Sequence, residues 1–294
     1  MVSAPAVSVR PSRMLAALVL AAAITIGTLA DRVPSGSPRR AGEYIVLEGD
    51  FHLHAFPGDG ALAPWTLRDA AAREGLDVFA VTNHNRTFTS RFAQWMAARS
   101  NGPIIIAGQE ITNPAYHLIA VGVEHTVNAD QPAKGAIADV HSQGGVAIAA
   151  HPIAKFHGYD DDATVAALDG TEAAHPADDI SGQRSFTEFF ERARRLKPTM
   201  AAIGSSDFHV APPPVARCRT FLFVREASAA GVIEAIRSGR TVALDEDGQM
   251  HGDPRLIELV GPRSSAEHPQ EHPGWRRASL ALAWLGLLGM LVFA

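Results

Sequence analysis

The stretch GDFHLHAFPGDG at residues 49–60 places His52 and His54 two positions apart and follows them with Asp59 in a Pro/Gly-rich turn. Side chains two apart on a strand point to the same face. Two imidazoles on one face can hold one metal ion, at about 2.0–2.1 Å per nitrogen for zinc. Asp207 and His209 repeat that spacing in GSSDFH. Other apolar runs end in the same kind of residue. DVFAVT runs into Asn83-His84-Asn85, PIIIAG into Gln109-Glu110, and VAIAA into His151-Pro152. In parallel α/β folds, ligands and catalytic groups gather at the C-terminal ends of strands. Five strand ends that each deliver a His, Asp or Glu point to one site. Whether it holds one ion or several stays open on spacing alone.

The elements that must position these residues lie in a region of about 220 residues, 43–261, a size suited to one large α/β domain. Strand-like runs cover 44–47, 77–82, 103–107, 117–123, 146–150, 200–203 and 220–224. Between them fall helix-like segments at 66–75, 91–99, 131–143, 186–196 and 229–238. Thr66 and Asp69 are placed like a capping box, and Gly75 like a helix stop. Repeated β-then-α order predicts a parallel sheet, open or closed into a barrel. No GxGxxG follows a strand and no P-loop is present, which argues against a nucleotide cofactor. The net charge of −5 gives no global basic field for nucleic acid. With Cys218 the single cysteine, no intrachain disulfide can form.

The ends differ from the middle. Residues 14–30 are uncharged and apolar after Arg10 and Arg13, so 1–30 reads as a signal peptide or N-terminal membrane anchor, with Thr28 and Ala30 as small residues for a cleavage site. Residues 278–294 form a second uncharged run after Arg276 and Arg277. It is apolar all round, which predicts a transmembrane helix at the short end of the usual range of about 17–25 residues. Residues 31–42 and 262–277 are Pro/Gly/polar-rich linkers. Arg32, Arg39, Arg40, Arg276 and Arg277 beside the middle region favour a cytoplasmic side by the positive-inside rule. The signal-peptide layout favours export. The expectation is a membrane-associated chain whose main domain is extracytoplasmic.

The motif series as a whole resembles the PHP (polymerase and histidinol phosphatase) family. GDFHLHAFPGDG is similar to that family's D-x-H-x-H motif followed by an acid in a tight turn. VTNHN, GQE, HLIAVG, AIAAHP and GSSDFH resemble the later motifs, in order, and the likeness runs over residues 44 to 245. It implies a distorted (β/α)7 TIM-like barrel and a metal-dependent phosphoesterase. Carried over motif by motif, it implies three divalent ions. His52, His54, Glu110 and Asp207 would hold the first. Glu110, His117 and His151 would hold the second, and Asp59, His84 and His209 the third. An all-N/O donor set suits Zn, Mn or Fe.

Three divalent ions against three carboxylates leave positive charge that would draw a small phosphorylated substrate. A hydroxide on the cluster would attack phosphorus, with Asp207 and His209 as catalytic residues. Arg184 and His157 are candidates for contacting substrate. Asn83 and Asn85 stand where the family commonly has acids, implying lost charge behind the ligands. His125, His141, His175 and His251 lack a recognised strand end, and His268 and His272 lie in the second linker. The alternatives are an amide-hydrolysing enzyme of amidohydrolase type and a non-catalytic metal-binding module at the membrane. Sequence-specific nucleic-acid binding is not expected.

Overall fold

The computed structural model describes residues 11–30, 39–99, 102–177, 185–210, 214–261 and 273–292. They fall into two compact units, one within 35–265 and one made of the two terminal helices. Arg184, His268 and His272 lie outside the described residues, as do 31–38 and 262–272 of the expected linkers.

The larger unit is built on one sheet of eleven strands. In chain order these are β1 (Arg39–Ala41), β2 (Tyr44–Leu53), β3 (Val78–Val81), β4 (Ile104–Asn113), β5 (Tyr116–Val121), β6 (Val146–Ala149), β7 (Gly170–Ala174), β8 (Ala201–Gly204), β9 (Arg219–Val224), β10 (Thr241–Leu244) and β11 (Met250–Gly252). Their spatial order is β11-β10-β9-β2-β3-β4-β5-β6-β7-β8, with β1 on β2. The sheet curls into a nearly closed barrel. At the seam, Gly204 N–H donates to the Thr220 hydroxyl (2.9 Å), which donates back to Gly204 O (2.9 Å).

The α/β barrel class matches the sequence reading, but the sheet is mixed. The runs β2–β3–β4 and β6–β7–β8 are parallel, whereas β5 is antiparallel to both neighbours and β9 is antiparallel to β2. Only Pro114 and Ala115 separate β4 from β5. A link that short permits a hairpin but no parallel crossover. The hairpin has a consequence for the site, because it brings the start of β5, with His117, beside the end of β4.

Around the sheet lie α2 (Pro64–Arg73), α3 (Phe88–Ala97), α4 (Ala133–Ser142), α5 (Asp162–Ala167), α6 (Ser185–Leu196), α7 (Ala229–Arg237) and α8 (Pro254–Val260). The β3 run VFAV shows why the core strands read as unbroken apolar stretches. Val78 and Ala80 pack with Leu47, Ile106, Ile148 and Ile203. Phe79 and Val81 point the other way, against Leu67, Ala71 and Ala93 of α2 and α3. A strand buried on both faces has no reason to alternate.

The second unit pairs α1 (Pro11–Ala30) with α9 (Pro273–Val292), antiparallel. Ser279 Oγ donates to Ala23 O (2.8 Å). Gly286 and Gly289 lie so close to Leu20 and Ala16 that an added Cβ would come within 3.0 and 2.9 Å of them. Among the described residues no helix is long and apolar enough to cross a membrane, which corrects the expectation of a span at 278–294. Arg276 and Arg277 are inside α9, in its first turn. The uncharged remainder to Val292 is about 22 Å long at about 1.5 Å per residue. That is short of a hydrocarbon core of about 30 Å.

Candidate metal centre

The strand ends converge as the spacing predicts. His52 lies on β2 and His54 one residue past it, Glu110 on β4, His84 after β3, His117 at the start of β5, His151 after β6, and Asp207 and His209 after β8. Backbone pairing sets the first and last motifs side by side. His54 N–H donates to Phe208 O (2.9 Å), Phe208 N–H to His52 O (3.3 Å), and Ala61 N–H to His209 O (2.7 Å). His84 bridges to Glu110 in the same way between β3 and β4. Three strand-end residues, Asn85, His151 and Asp207, have φ of 50°, 27° and 48°. The left-handed region costs a non-glycine residue about 1–3 kcal/mol, and such strain gathers at functional sites.

At the centre, four donor atoms face one another. His52 Nε2 is 3.3 Å from Glu110 Oε2 and 3.1 Å from Asp207 Oδ1. His54 Nε2 is 3.4 Å from Glu110 Oε2 and 3.3 Å from Asp207 Oδ1. All four atoms are buried and lack a hydrogen-bond partner. Leaving even one polar group in that state costs about 1–3 kcal/mol. Two nitrogens facing two carboxylate oxygens at 3.1–3.4 Å fit a cation between them. The ring tautomer agrees. His52 Nδ1 donates to the buried carboxylate of Glu172 (2.9 Å), which leaves the Nε2 lone pair facing the centre.

Two further groups adjoin this one. Glu110 Oε1 accepts from His117 Nδ1 (2.7 Å) and lies 3.2 Å from His151 Nε2. Asp59 Oδ2 is 3.1 Å from His84 Nε2 and 3.2 Å from His209 Nε2, and Asp59 Oδ1 accepts from His54 Nδ1 (3.0 Å). His209 Nδ1 donates to Asp207 O (3.0 Å) and His84 Nδ1 bonds the Thr112 hydroxyl (2.5 Å), so both rings present Nε2 to Asp59. All nine sequence-predicted ligands are thus drawn together, in groups that could hold metal ions. The glycines of the first motif make the turn possible. A Cβ at Gly60 would come within 2.1 Å of the His54 carbonyl, and one at Gly58 within 1.7 Å of Asn83 Nδ2.

The electrostatics favour positive charge at the centre. Burial opposes a charged His54, but the neighbouring carboxylates of Asp207 and Glu110 override it and lift its pKa to about 9. Burial likewise opposes charge on His52, yet Asp207, Glu172 and Glu110 hold its pKa well above the usual imidazole range. Burial resists ionisation of Glu110 and Asp207, and the surrounding imidazoles keep both carboxyls far below their ordinary range. Protons here take the role that a cation would play, so metal and protons compete for the same nitrogens.

Several residues differ from the sequence reading. Asn83 and Asn85 are not simply acids that have lost their charge, because both amides are spent on backbone. Asn83 accepts from Ala55 N–H (3.1 Å) and donates to Ala55 O (2.6 Å), which pins the turn that carries Asp59. Asn85 accepts from Thr112 N–H (2.8 Å) and donates to Thr112 O (3.1 Å). An aspartate could do only the accepting half of either job. The His157 side chain is 77% exposed, pairs with Asp160 at 3.4 Å, and is not among the residues the centre gathers.

His175 and Glu172 were missed. Glu172 lies on β7 and His175 directly follows it, and the β7 sequence GTEAA lacks the branched apolar residues that mark a strand. Ala177 N–H donates to His175 Nδ1 (3.0 Å), so the ring proton sits on Nε2. That atom is buried and unpartnered, 3.7 Å from Asp207 Oδ2 and 3.8 Å from Glu172 Oε2. Burial pushes the His175 pKa down to about 4, so the ring is neutral at neutral pH. A cleft lined by His175, Thr187, Asp245 and His251 opens beside it.

No family model matches the sequence. No match is found among curated proteins. Among solved structures the chain is similar to a two-domain protein of Bacteroides vulgatus described as containing a predicted PHP-like metal-dependent phosphoesterase. The TM-score is 0.63 at 23% identity, over 78% of this chain and 73% of that one. It is also similar to PsfC of Pseudomonas syringae, with a TM-score of 0.50 at 16% identity over 73% of this chain and 95% of that one. At these identities the likeness is one of architecture alone, a PHP-like α/β barrel.

Proposed function

We propose that the chain is a metal-dependent hydrolase, and specifically a phosphoesterase acting on a small phosphorylated substrate. One observation carries this reading: on His52, His54, Glu110 and Asp207, two buried nitrogens face two buried carboxylate oxygens at 3.1–3.4 Å, and none of the four has a hydrogen-bond partner. His52, His54, Glu110 and Asp207 would hold a first divalent ion, Glu110, His117 and His151 a second, and Asp59, His84 and His209 a third. Bound there, Zn, Mn or Fe would supply the Lewis acidity and positive charge that phosphoester hydrolysis requires.

The chain's own residues divide the remaining work. Glu172 fixes the His52 tautomer and ring orientation through Nδ1. Asp207 turns Oδ1 to the centre and Oδ2 toward His175, and its side chain is 26% exposed, so it can orient an attacking water. The neutral Nε2–H of His175 faces that second oxygen and positions the carboxylate. His209, at the rim and stacked on His54 at 3.8 Å between ring centroids, would meet the substrate first.

The test is metal analysis of the purified chain, with p-nitrophenyl phosphate assayed against an amide panel under added Mn or Zn. Metal-dependent phosphate release that disappears in His52→Ala/His54→Ala supports the reading. Amide turnover in its place would shift the chemistry, full activity in the double variant would sink the site, and no turnover with metal bound would favour a non-catalytic metal module.

A further inference from the structure

Helix α3 is built inside out. Its buried side chains are Thr89, Ser90 and Ala93, all small. Its three aromatics, Phe88, Phe92 and Trp95, face solvent with 72%, 40% and 54% of their surface exposed. They recur at i, i+4 and i+7, so they form one stripe. A helix that hides its alanine and shows its aromatics has its apolar face turned toward something other than its own core.

The charge on the segment that carries the stripe is of one sign. Arg86, Arg91 and Arg99 are exposed beside it, and no acidic residue lies between Asp77 and Glu110, in a chain whose net charge is −5. The Arg99 guanidinium sits 4.2 Å over the Trp95 ring, and Phe92 stacks on the same ring at 5.9 Å. Aromatics with arginines laid along them suit the boundary between acyl chains and phosphate headgroups. Phe56, 59% exposed, continues the patch. The Thr89 hydroxyl donates to Pro57 O (2.6 Å), tying α3 to the turn that carries Asp59.

We propose that this face, Phe56, Phe88, Phe92 and Trp95 with Arg86, Arg91 and Arg99, docks on an anionic phospholipid surface beside the mouth of the metal centre. Single-stranded nucleic acid also pairs arginine with aromatics. The terminal helices decide between them. Leu15, Leu18, Trp284 and Leu291 are 61–73% exposed there, an apolar surface that suits lipid and not nucleic acid. The docking surface stands apart from the phosphoesterase reading, and its test needs no turnover.

The experiment uses the full chain. Cys218 is 1% exposed, so Ala98→Cys on the α3 side takes a single environment-sensitive fluorophore, and Ala138→Cys on α4 serves as the reference. Both are titrated with phosphatidylcholine vesicles, with and without phosphatidylglycerol. The Ala98 label is expected to shift blue and brighten severalfold on anionic vesicles only. The response should fade with salt, as a screened contact does, and be lost with Arg86→Glu/Arg91→Glu/Arg99→Glu. A silent Ala98 label on vesicles that carry the chain down would overturn the proposal. So would equal responses at both labels, or a response to oligothymidylate in place of vesicles.

Discussion

The inner and outer parts of the centre are made of the same residue types and differ in how they are held. His52, His54 and Glu110 are 0–1% exposed, and two of them lie on strands. Asp59, His84 and His209 are 34–38% exposed and sit on turns beyond strand ends. The inner donors are fixed before any ion arrives, at the cost of burying unpaired polar atoms. The outer ones are placed by a clamped loop and remain open to water. The same chemistry is thus offered once as a rigid socket and once as an adjustable rim.

The sharpest way to break this comparison is His52→Ala. The inner ion should be lost and turnover should fall by more than the ~10–100-fold typical of residues behind a ligand. Retained tight metal, read by elemental analysis, would show that the socket is not where the strands put it. Next comes Glu172→Gln, which removes the acceptor that sets the His52 tautomer. Inner-site affinity should drop by about 10–100-fold with little change at the rim. Asp59→Asn or His209→Ala should remove about one ion per chain and lower turnover severalfold, leaving the inner ion in place. Equal loss of every ion would erase the distinction between socket and rim.

The smallest effect expected is on stability. The folded-state pKa of His54 is raised from 6.5 to about 9, and that of His52 is raised too. A raised imidazole contributes stability that is fully present below about pH 6.5 and is lost as pH rises through about 9. The metal-free chain should therefore lose melting temperature between those values, and metal loading should flatten the loss. A metal-free chain that gains stability over the same range would contradict the charge balance of the socket.

Most of the socket was legible because strand ends announce themselves. VFAVT, PIIIA and VAIAA are apolar on both faces, and a polar residue after each stands out. The resemblance supplied His117, and only the hairpin at Pro114–Ala115 explains why a residue at the start of a strand joins residues at the ends of others. β7 was not legible, since Thr-Glu-Ala-Ala carries neither periodicity nor branched apolar side chains, so Glu172 and His175 went with it. Asn83 and Asn85 misled for another reason. A spacing pattern gives a position but not the direction of a side chain, and theirs turn to backbone. The ends misled by length, since the apolar run and the arginines before it were visible but not that α9 takes those arginines into its first turn.

His54 belongs to both parts at once, with Nδ1 on Asp59 and Nε2 toward Glu110 and Asp207. A cation on Asp59 makes that carboxylate a poorer acceptor, and His54 Nε2 becomes less basic in turn. Filling the rim therefore loosens the socket, and by reciprocity filling the socket loosens the rim. A chain wired in this way takes up its ions over a broad span of supply instead of at one threshold. Its working state would then report how much metal its surroundings can spare.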